Sequence, residues 1–181
     1  MKITETPIQG VLIIEPKIFS DQRGSFFESF NEKILKDAGI NESFVQDNQS
    51  VSKKSVIRGL HFQHPPYSQG KLVRVLKGSV LDVIVDIRKD SKTYGRNYSI
   101  EVSDKNNLQI WIPPGLAHGF SVLEDDSVFF YKVTNYYNPL SESGIVYNDI
   151  SLNIDWRVKD PIVSEKDLVL PTFKEYSLSF D

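Results

Sequence analysis

The chain contains no cysteine. That excludes a disulfide framework, a thiolate nucleophile and any cysteine-ligated zinc. Long apolar runs are missing too. No stretch approaches the roughly 20 residues needed to span a bilayer as a helix, and the opening Met1-Lys2-Ile3-Thr4-Glu5 carries no apolar signal segment. No membrane partner is therefore expected, and the cytoplasm is the default compartment. Positive charge is not in excess. Twenty-one Lys and Arg against 24 Asp and Glu give a formal net charge of -3. This argues against nucleic acid as a partner but leaves room for a local basic pocket. Internal repeats, low-complexity tracts and linkers are absent. What remains is 181 residues, 40% hydrophobic and 25% charged, read as one domain over 1–181 that buries about 70% of its unfolded surface.

Short runs rich in Val, Ile, Phe and Tyr recur, separated by Gly, Pro, Asn and Asp. They predict strands over Gly10 to Glu15, Ser25 to Phe30, Phe44 to Val51, Ile57 to Gln63 and Lys71 to Leu76. Further strands are predicted over Ser79 to Ile87, Asn97 to Ser103, Leu108 to Ile112, Gly119 to Leu123 and Val128 to Asn135. Lys77-Gly78 and Asp104-Lys105-Asn106-Asn107 read as hairpin turns. The clearest alternation sets Leu81, Val83, Val85 and Ile87 against Asp82, Asp86 and Arg88. One helix is predicted from Asn31 to Ala38, with Asn31 as N-cap and Gly39 as the stop, and the C-terminal end reads as short helical pieces. Many short strands and little helix predict an all-β antiparallel sandwich or barrel. Pro113-x-Gly115-x-x-His118 between two strands resembles the second motif of the cupins, which are small jelly-roll barrels.

Within this frame, Lys71 shares strand parity with Val73 and Val75, so its ammonium is read as pointing inward, where it requires an anion. A cupin metal site draws on a His-x-His pair, a glutamate and the second-motif histidine. Here the first pair is His61-x-x-His64, and an inward Lys71 would repel a cation. No metal and no cofactor are therefore expected. His64 precedes Pro65-Pro66 and reads as a solvated loop histidine. His61 is a candidate general base, because imidazole titrates near the operating pH. Tyr131 shares a face with Phe129 and Val133, which places a phenolic proton on an apolar wall, while Lys132 and Thr134 face away. Each has a plain alternative in packing or a structural ion pair. Together they compose a base beside a carbonyl, a cation for the enolate oxygen and an acid that returns a proton. With acid and base on opposite faces, that set epimerises a carbon.

The chain also carries, in order, Asp21-x-Arg23-Gly24-x-Phe26-x-Glu28, Gln46-Asp47-Asn48-x-Ser50, Arg58-Gly59-Leu60-His61-x-Gln63 and Gln69-x-Lys71-Leu72-Val73. Asp82-Val83-x-Val85-Asp86-x-Arg88, Asp90-Ser91-x-Thr93, Tyr131-Lys132-x-Thr134-x-Tyr136-Tyr137, Glu142-x-Gly144 and Ser164-x-Lys166-Asp167 follow. Spread over nearly the whole chain, these motifs resemble the dTDP-4-dehydrorhamnose 3,5-epimerase family. The resemblance implies a homodimeric cupin-type jelly roll with a few short helices. It implies a dTDP-4-keto-6-deoxyhexose substrate, epimerised at C3 and C5 without a cofactor. It implies that His61 is the base, paired with Asp167, that Tyr131 is the acid, and that Lys71 holds the enolate. His118 would lie close to the sugar or phosphate. Arg23, Phe26 and Glu28 match nucleotide-binding positions, partly across the dimer interface. Gln46, Asp47, Asn48, Arg58, Glu142 and Lys166 match further substrate-binding positions, and Tyr137 an aromatic one at the nucleotide. Strand parity lets Gln46 and Asn48 face one pocket and turns Asp47 away unless a bulge intervenes. Tyr147, Arg157 and the loop His64-Pro65-Pro66-Tyr67-Ser68 depart from the family pattern. Competing readings are a C3-only epimerase, a metal-dependent cupin and a non-catalytic sugar-nucleotide binder.

Overall fold

Alternating sequence becomes two facing antiparallel sheets. The computed structural model describes residues 1–178. The first part of the chain supplies β1 (Lys2–Glu5), β2 (Leu12–Glu15), β3 (Phe19–Asp21), β4 (Gly24–Phe26), α1 (Glu32–Asp37) and β5 (Gln46–Ser52). The middle supplies β6 (Ile57–Gln63), β7 (Lys71–Lys77), β8 (Ser79–Asp86), β9 (Asn97–Ser103) and β10 (Gln109–Ile112). After these come β11 (Leu116–Val122), β12 (Ser127–Val133), β13 (Glu142–Gly144), α2 (Glu165–Leu168) and α3 (Phe173–Leu178). One sheet has the order β1-β2-β10-β7-β12-β5 and the other β13-β6-β11-β8-β9, while β3-β4 stand apart as a two-stranded hairpin. Neighbours far apart in sequence within two stacked sheets make a jelly roll. Among the described residues no helix is long and apolar enough to cross a membrane.

Three apolar layers hold this together. Val73, Val75, Ile110, Ile112 and Phe129 of one sheet meet Val80, Ile84, Val102, Phe120 and Val122 of the other. The outer face of the five-stranded sheet buries Ile57, Leu81, Val83, Val85 and Ala117 beneath Ile145, Leu152 and Trp156. On the outer face of the six-stranded sheet, Leu35 and Ile40 cover Ile14, Leu72 and Trp111. Asn31 caps α1 by accepting from the Ile34 N–H at 3.2 Å, and Gly39 leaves it at φ +89°, as the sequence predicts. Gly78 turns the β7–β8 hairpin at φ +81°, where a Cβ would also collide with Ser127.

Both faces of β8 are covered, and all of its residues are buried. Its more polar parity is therefore no solvent face. Val80, Asp82 and Ile84 look into the space between the sheets, and Asp82 is 0% exposed. Asp86, also buried, accepts from the Arg88 guanidinium and from the Ser91 and Thr93 hydroxyls. Burial opposes ionisation there, but these donors outweigh it and pull the carboxyl down to about 2. Part of the family pattern is thus a loop anchor rather than chemistry.

Three differences from the predicted strands have local causes. The run predicted from Ser25 ends at Phe26 because it pairs only with Phe19–Asp21. The short edge strands β1, β3 and β13 carry too few residues for a visible pattern. The strand predicted to begin at Gly119 begins at Leu116, since seven consecutive residues pair with β8. The turn is Pro113-Pro114-Gly115, and His118 lies within the strand rather than on it.

Candidate active site

His61 and His118 are direct cross-strand partners on β6 and β11, and the register slips between His118 and Phe120. This bulge lies where two glycines meet. Gly59 has φ +121°, and a Cβ on it would approach Gly119 Cα to 2.5 Å and the His118 carbonyl to 2.8 Å. Only glycine lets the histidine-bearing strands run this close. The Gly59 N–H also donates to Asp167 Oδ2 at 3.3 Å. Gly59→Ala is expected to push the strands apart at both histidines. Activity should fall at least about tenfold through misplacement and stability by about 1–3 kcal/mol, read by turnover and urea unfolding.

Asp167 comes from the far end of the chain. Ile162 forms a parallel bridge with Val56, which docks the C-terminal segment beside β6. Ser164 then caps the one-turn helix α2, its Oγ accepting from the Asp167 N–H at 3.1 Å. That turn points Asp167 inward and Lys166 toward the cavity mouth. Asp167 Oδ1 lies 2.7 Å from His61 Nε2. Desolvation raises the carboxyl's pKa, but His61, the Gly59 N–H and Ser164 outweigh it and hold it below the usual range. An ionised Asp167 fixes the His61 proton on Nε2 and leaves Nδ1 with its lone pair.

Lys71 reaches across from the other sheet, its Nζ donating to the His61 carbonyl at 3.4 Å. Burial pushes the ammonium down to about 8, against the pull of Asp82 and Glu142. Burial raises the Tyr131 phenol, so it stays protonated at neutral pH. His118 is 6% exposed, with Nε2 2.8 Å from Asp82 Oδ2. Its pKa is lowered, chiefly by burial. His61, Lys71, His118, Tyr131 and Asp167 all line one cavity of about 640 Å³, with Asn48, Arg58 and Lys166 around them.

At the mouth, Glu142 Oε2 accepts from Lys166 Nζ at 2.6 Å and from the Tyr137 hydroxyl at 2.7 Å. The Tyr137 N–H reaches Gln46 Oε1 at 3.4 Å, and Gln46 donates to Asn48 at 2.9 Å. Arg58 donates twice to Ser52 Oγ, at 3.2 and 3.1 Å. Lys166, Glu142, Tyr137, Gln46 and Asn48 thus form one hydrogen-bonded chain, of which Lys166 and Asn48 line the cavity; Arg58 lines it separately.

Other expected residues are not brought there. Asp47 sits on the opposite parity, paired with Lys132 at 2.8 Å, as strand parity requires and as its place among the implied binding positions does not. Arg23, Phe26 and Glu28 lie outside the cavity lining, on or just after the β3–β4 hairpin. Arg23 pairs with Asp21 at 2.6 Å, Glu28 accepts from Asn31 at 3.2 Å, and Phe26 is 69% exposed. His64 is not the solvated loop histidine expected. It stacks on Tyr176 and meets Phe62 edge-on, because α3 folds back over the end of β6. Neither Tyr147 nor Arg157 lines the cavity. Among the described residues no three of His, Asp and Glu converge in a metal-ligating group. Sequence reasoning assigned no role to Gly59, Ser164 or Asp82. For Asp82 the available signal was a carboxylate in the middle of an otherwise apolar strand.

A cupin-type jelly roll whose cavity holds a carboxylate-oriented histidine, a half-buried lysine and a protonated tyrosine belongs to the class of proton-transferring epimerases. The model of the dTDP-4-dehydrorhamnose 3,5-epimerase family matches residues 5–175, and the chain belongs to that family. The dTDP-4-dehydrorhamnose 3,5-epimerase of Shigella flexneri is 52% identical over 169 residues, covering 93% of each chain. A solved dTDP-6-deoxy-D-glucose-3,5-epimerase from Legionella pneumophila, in complex with dTDP-4-keto-L-rhamnose, is 47% identical with a TM-score of 0.92. It covers 96% of this chain and 93% of that one. A 3'-monoepimerase from Streptomyces bikiniensis, in complex with dTDP-quinovose, is 30% identical with a TM-score of 0.92, covering 97% of this chain and 89% of that one.

Proposed function

We propose that this protein epimerises dTDP-4-dehydro-6-deoxy-D-glucose at C3 and C5, giving dTDP-4-dehydro-L-rhamnose. The observation that carries the reading is the His61–Asp167 pair at 2.7 Å with the Lys71 ammonium beside it in one cavity. The C4 ketone acidifies the hydrogens on both flanking carbons, so one base serves both. His61 Nδ1 takes the proton, and Asp167 steadies the imidazolium that forms. The Lys71 ammonium meets the charge that gathers on the C4 oxygen. Tyr131 returns a proton from the opposite side, which inverts the carbon. Solvent then reprotonates Tyr131 and takes the proton from His61. Inversion at both carbons, rather than C3 alone, is supported by the higher identity to 3,5-epimerases than to the 3'-monoepimerase.

A homodimer is part of this proposal. The hairpin carrying Arg23 and Phe26 leaves Phe19 54% and Phe26 69% exposed. Received in the cavity of a second copy, this hairpin would supply the aromatic ring and guanidinium that suit a thymidine diphosphate.

Incubation with the 4-keto sugar nucleotide in deuterium oxide tests the reaction. Label at C3 and C5 is expected. Label at C3 alone would mark a monoepimerase, and tight dTDP binding without label a non-catalytic binder. Tyr131→Phe is expected to lower product formation about 100-fold while the first proton removal continues, so washed-in label outpaces inversion. Equal loss of both would remove Tyr131 from the acid role.

A further inference from the structure

One buried carboxylate takes no part in the proton transfers above. Asp82 lies opposite Phe120 in the β8–β11 pairing and is 0% exposed. Its Oδ2 meets His118 Nε2 at 2.8 Å. Its Oδ1 is buried and has no hydrogen-bond partner among the described residues. A charged oxygen left in that state requires a positive charge close by. The charges that act together with it are those of Lys71 on β7 and His61 on β6, which oppose it at His118, and Glu142 on β13, which joins it at Lys71. Among the charges that keep Lys71 protonated, Asp82 is the strongest and Glu142 the next.

We propose that Asp82 is a positioning residue for the epimerisation, acting on two partners at once. Its Oδ2 holds His118 as the Nε2–H tautomer, so that Nδ1 meets the substrate as an acceptor. Its Oδ1 is the counter-charge that keeps Lys71 a cation facing the C4 oxygen. This rests on the epimerase reading of the cavity.

The charges around the pair agree. Lys71 and His61 both disfavour a proton on His118, and so does burial. One carboxylate therefore balances one ammonium and leaves the imidazole neutral. A neutral His118 with its proton turned toward Asp82 accepts from a sugar hydroxyl. It offers no N–H to a phosphate oxygen on that side. The substrate contact of His118 is thereby assigned to the sugar.

Asp82→Asn keeps the shape and removes the charge. The fall of kcat on the alkaline side, set by Lys71 at about 8, is expected to move to lower pH by about one unit. Activity above that pH should drop at least about tenfold, and less on the acid side. A rate lowered equally at every pH, with the alkaline limb unmoved, would reduce Asp82 to packing and overturn the proposal. Two measurements read the same point without turnover. Ring ¹⁵N NMR of the unsubstituted protein near neutral pH should find His118 protonated on Nε2 and bare on Nδ1. The reverse tautomer, or an imidazolium, would refute the first half. Side-chain ¹³Cε titration of Lys71 should show a lower midpoint in Asp82→Asn than in the parent, and identical midpoints would refute the second half. These signals decide the role of Asp82 even if the deuterium assay finds no epimerase activity, so the two failures stay distinct.

Discussion

His61→Ala should abolish deuterium uptake at C3 and C5 together, with turnover falling about 1,000-fold or more. The two losses are linked because both carbons flank the same ketone and His61 serves as the base for each. Asp167 stands 2.7 Å behind that ring and cannot replace it, since its oxygens point at His61, the Gly59 N–H and the Ser164 turn. His118 is also no substitute: burial, with Lys71 and His61 beside it, lowers its pKa and makes it a weak proton acceptor. The His61 side chain is 32% exposed, so truncation leaves the core intact, and near-ultraviolet circular dichroism should match the parent. Near-normal exchange at either carbon in a folded variant would remove His61 from the role of base.

Lys71→Met is the second large effect. Methionine keeps the length and apolar stem of the side chain and deletes the charge. Turnover is expected to fall about 100- to 1,000-fold, the range for losing a donor to a developing oxyanion, with a smaller change in KM. The pH dependence gives an independent check. Burial sets the Lys71 ammonium at about 8. The cation is therefore present below that pH and lost as pH rises through it, and kcat of the parent enzyme should decline over the same interval. The methionine variant should show no such limb. An alkaline limb that survives the substitution would belong to another group, and Lys71 would lose its role.

Strand parity made much of the cavity legible. It turned Lys71 inward with Val73 and Val75, put Tyr131 on the wall with Phe129, and turned Asp47 out toward Lys132. Helix α1 was readable from Asn31 and Gly39, because caps are local signals. Parity failed at β8, where both faces are covered and alternation no longer says which side is inside. Asp82 could therefore not be placed. It also failed for His64, whose neighbour Tyr176 arrives from a helix more than a hundred residues later. The His61–Asp167 pair spans 106 residues, and no local pattern encodes such a meeting. The family resemblance supplied it. Gly59 was visible as part of a motif, but its reason is a backbone contact with β11 that exists only after folding.

His61 sits in β6, a strand with neighbours on both sides, whereas its carboxylate rides on a one-turn helix tethered beside Val56 and Ile162. One half of the dyad is thus part of the barrel, and the other half belongs to a segment outside the two sheets, held to them by the Ile57 N–H to the Ile162 carbonyl at 2.9 Å and by Lys166 to Glu142 at 2.6 Å. Segments of that kind open at a lower free energy than the sheets they rest on. Release of that segment would silence the base while the strand ladders stand, so competence would be lost before architecture.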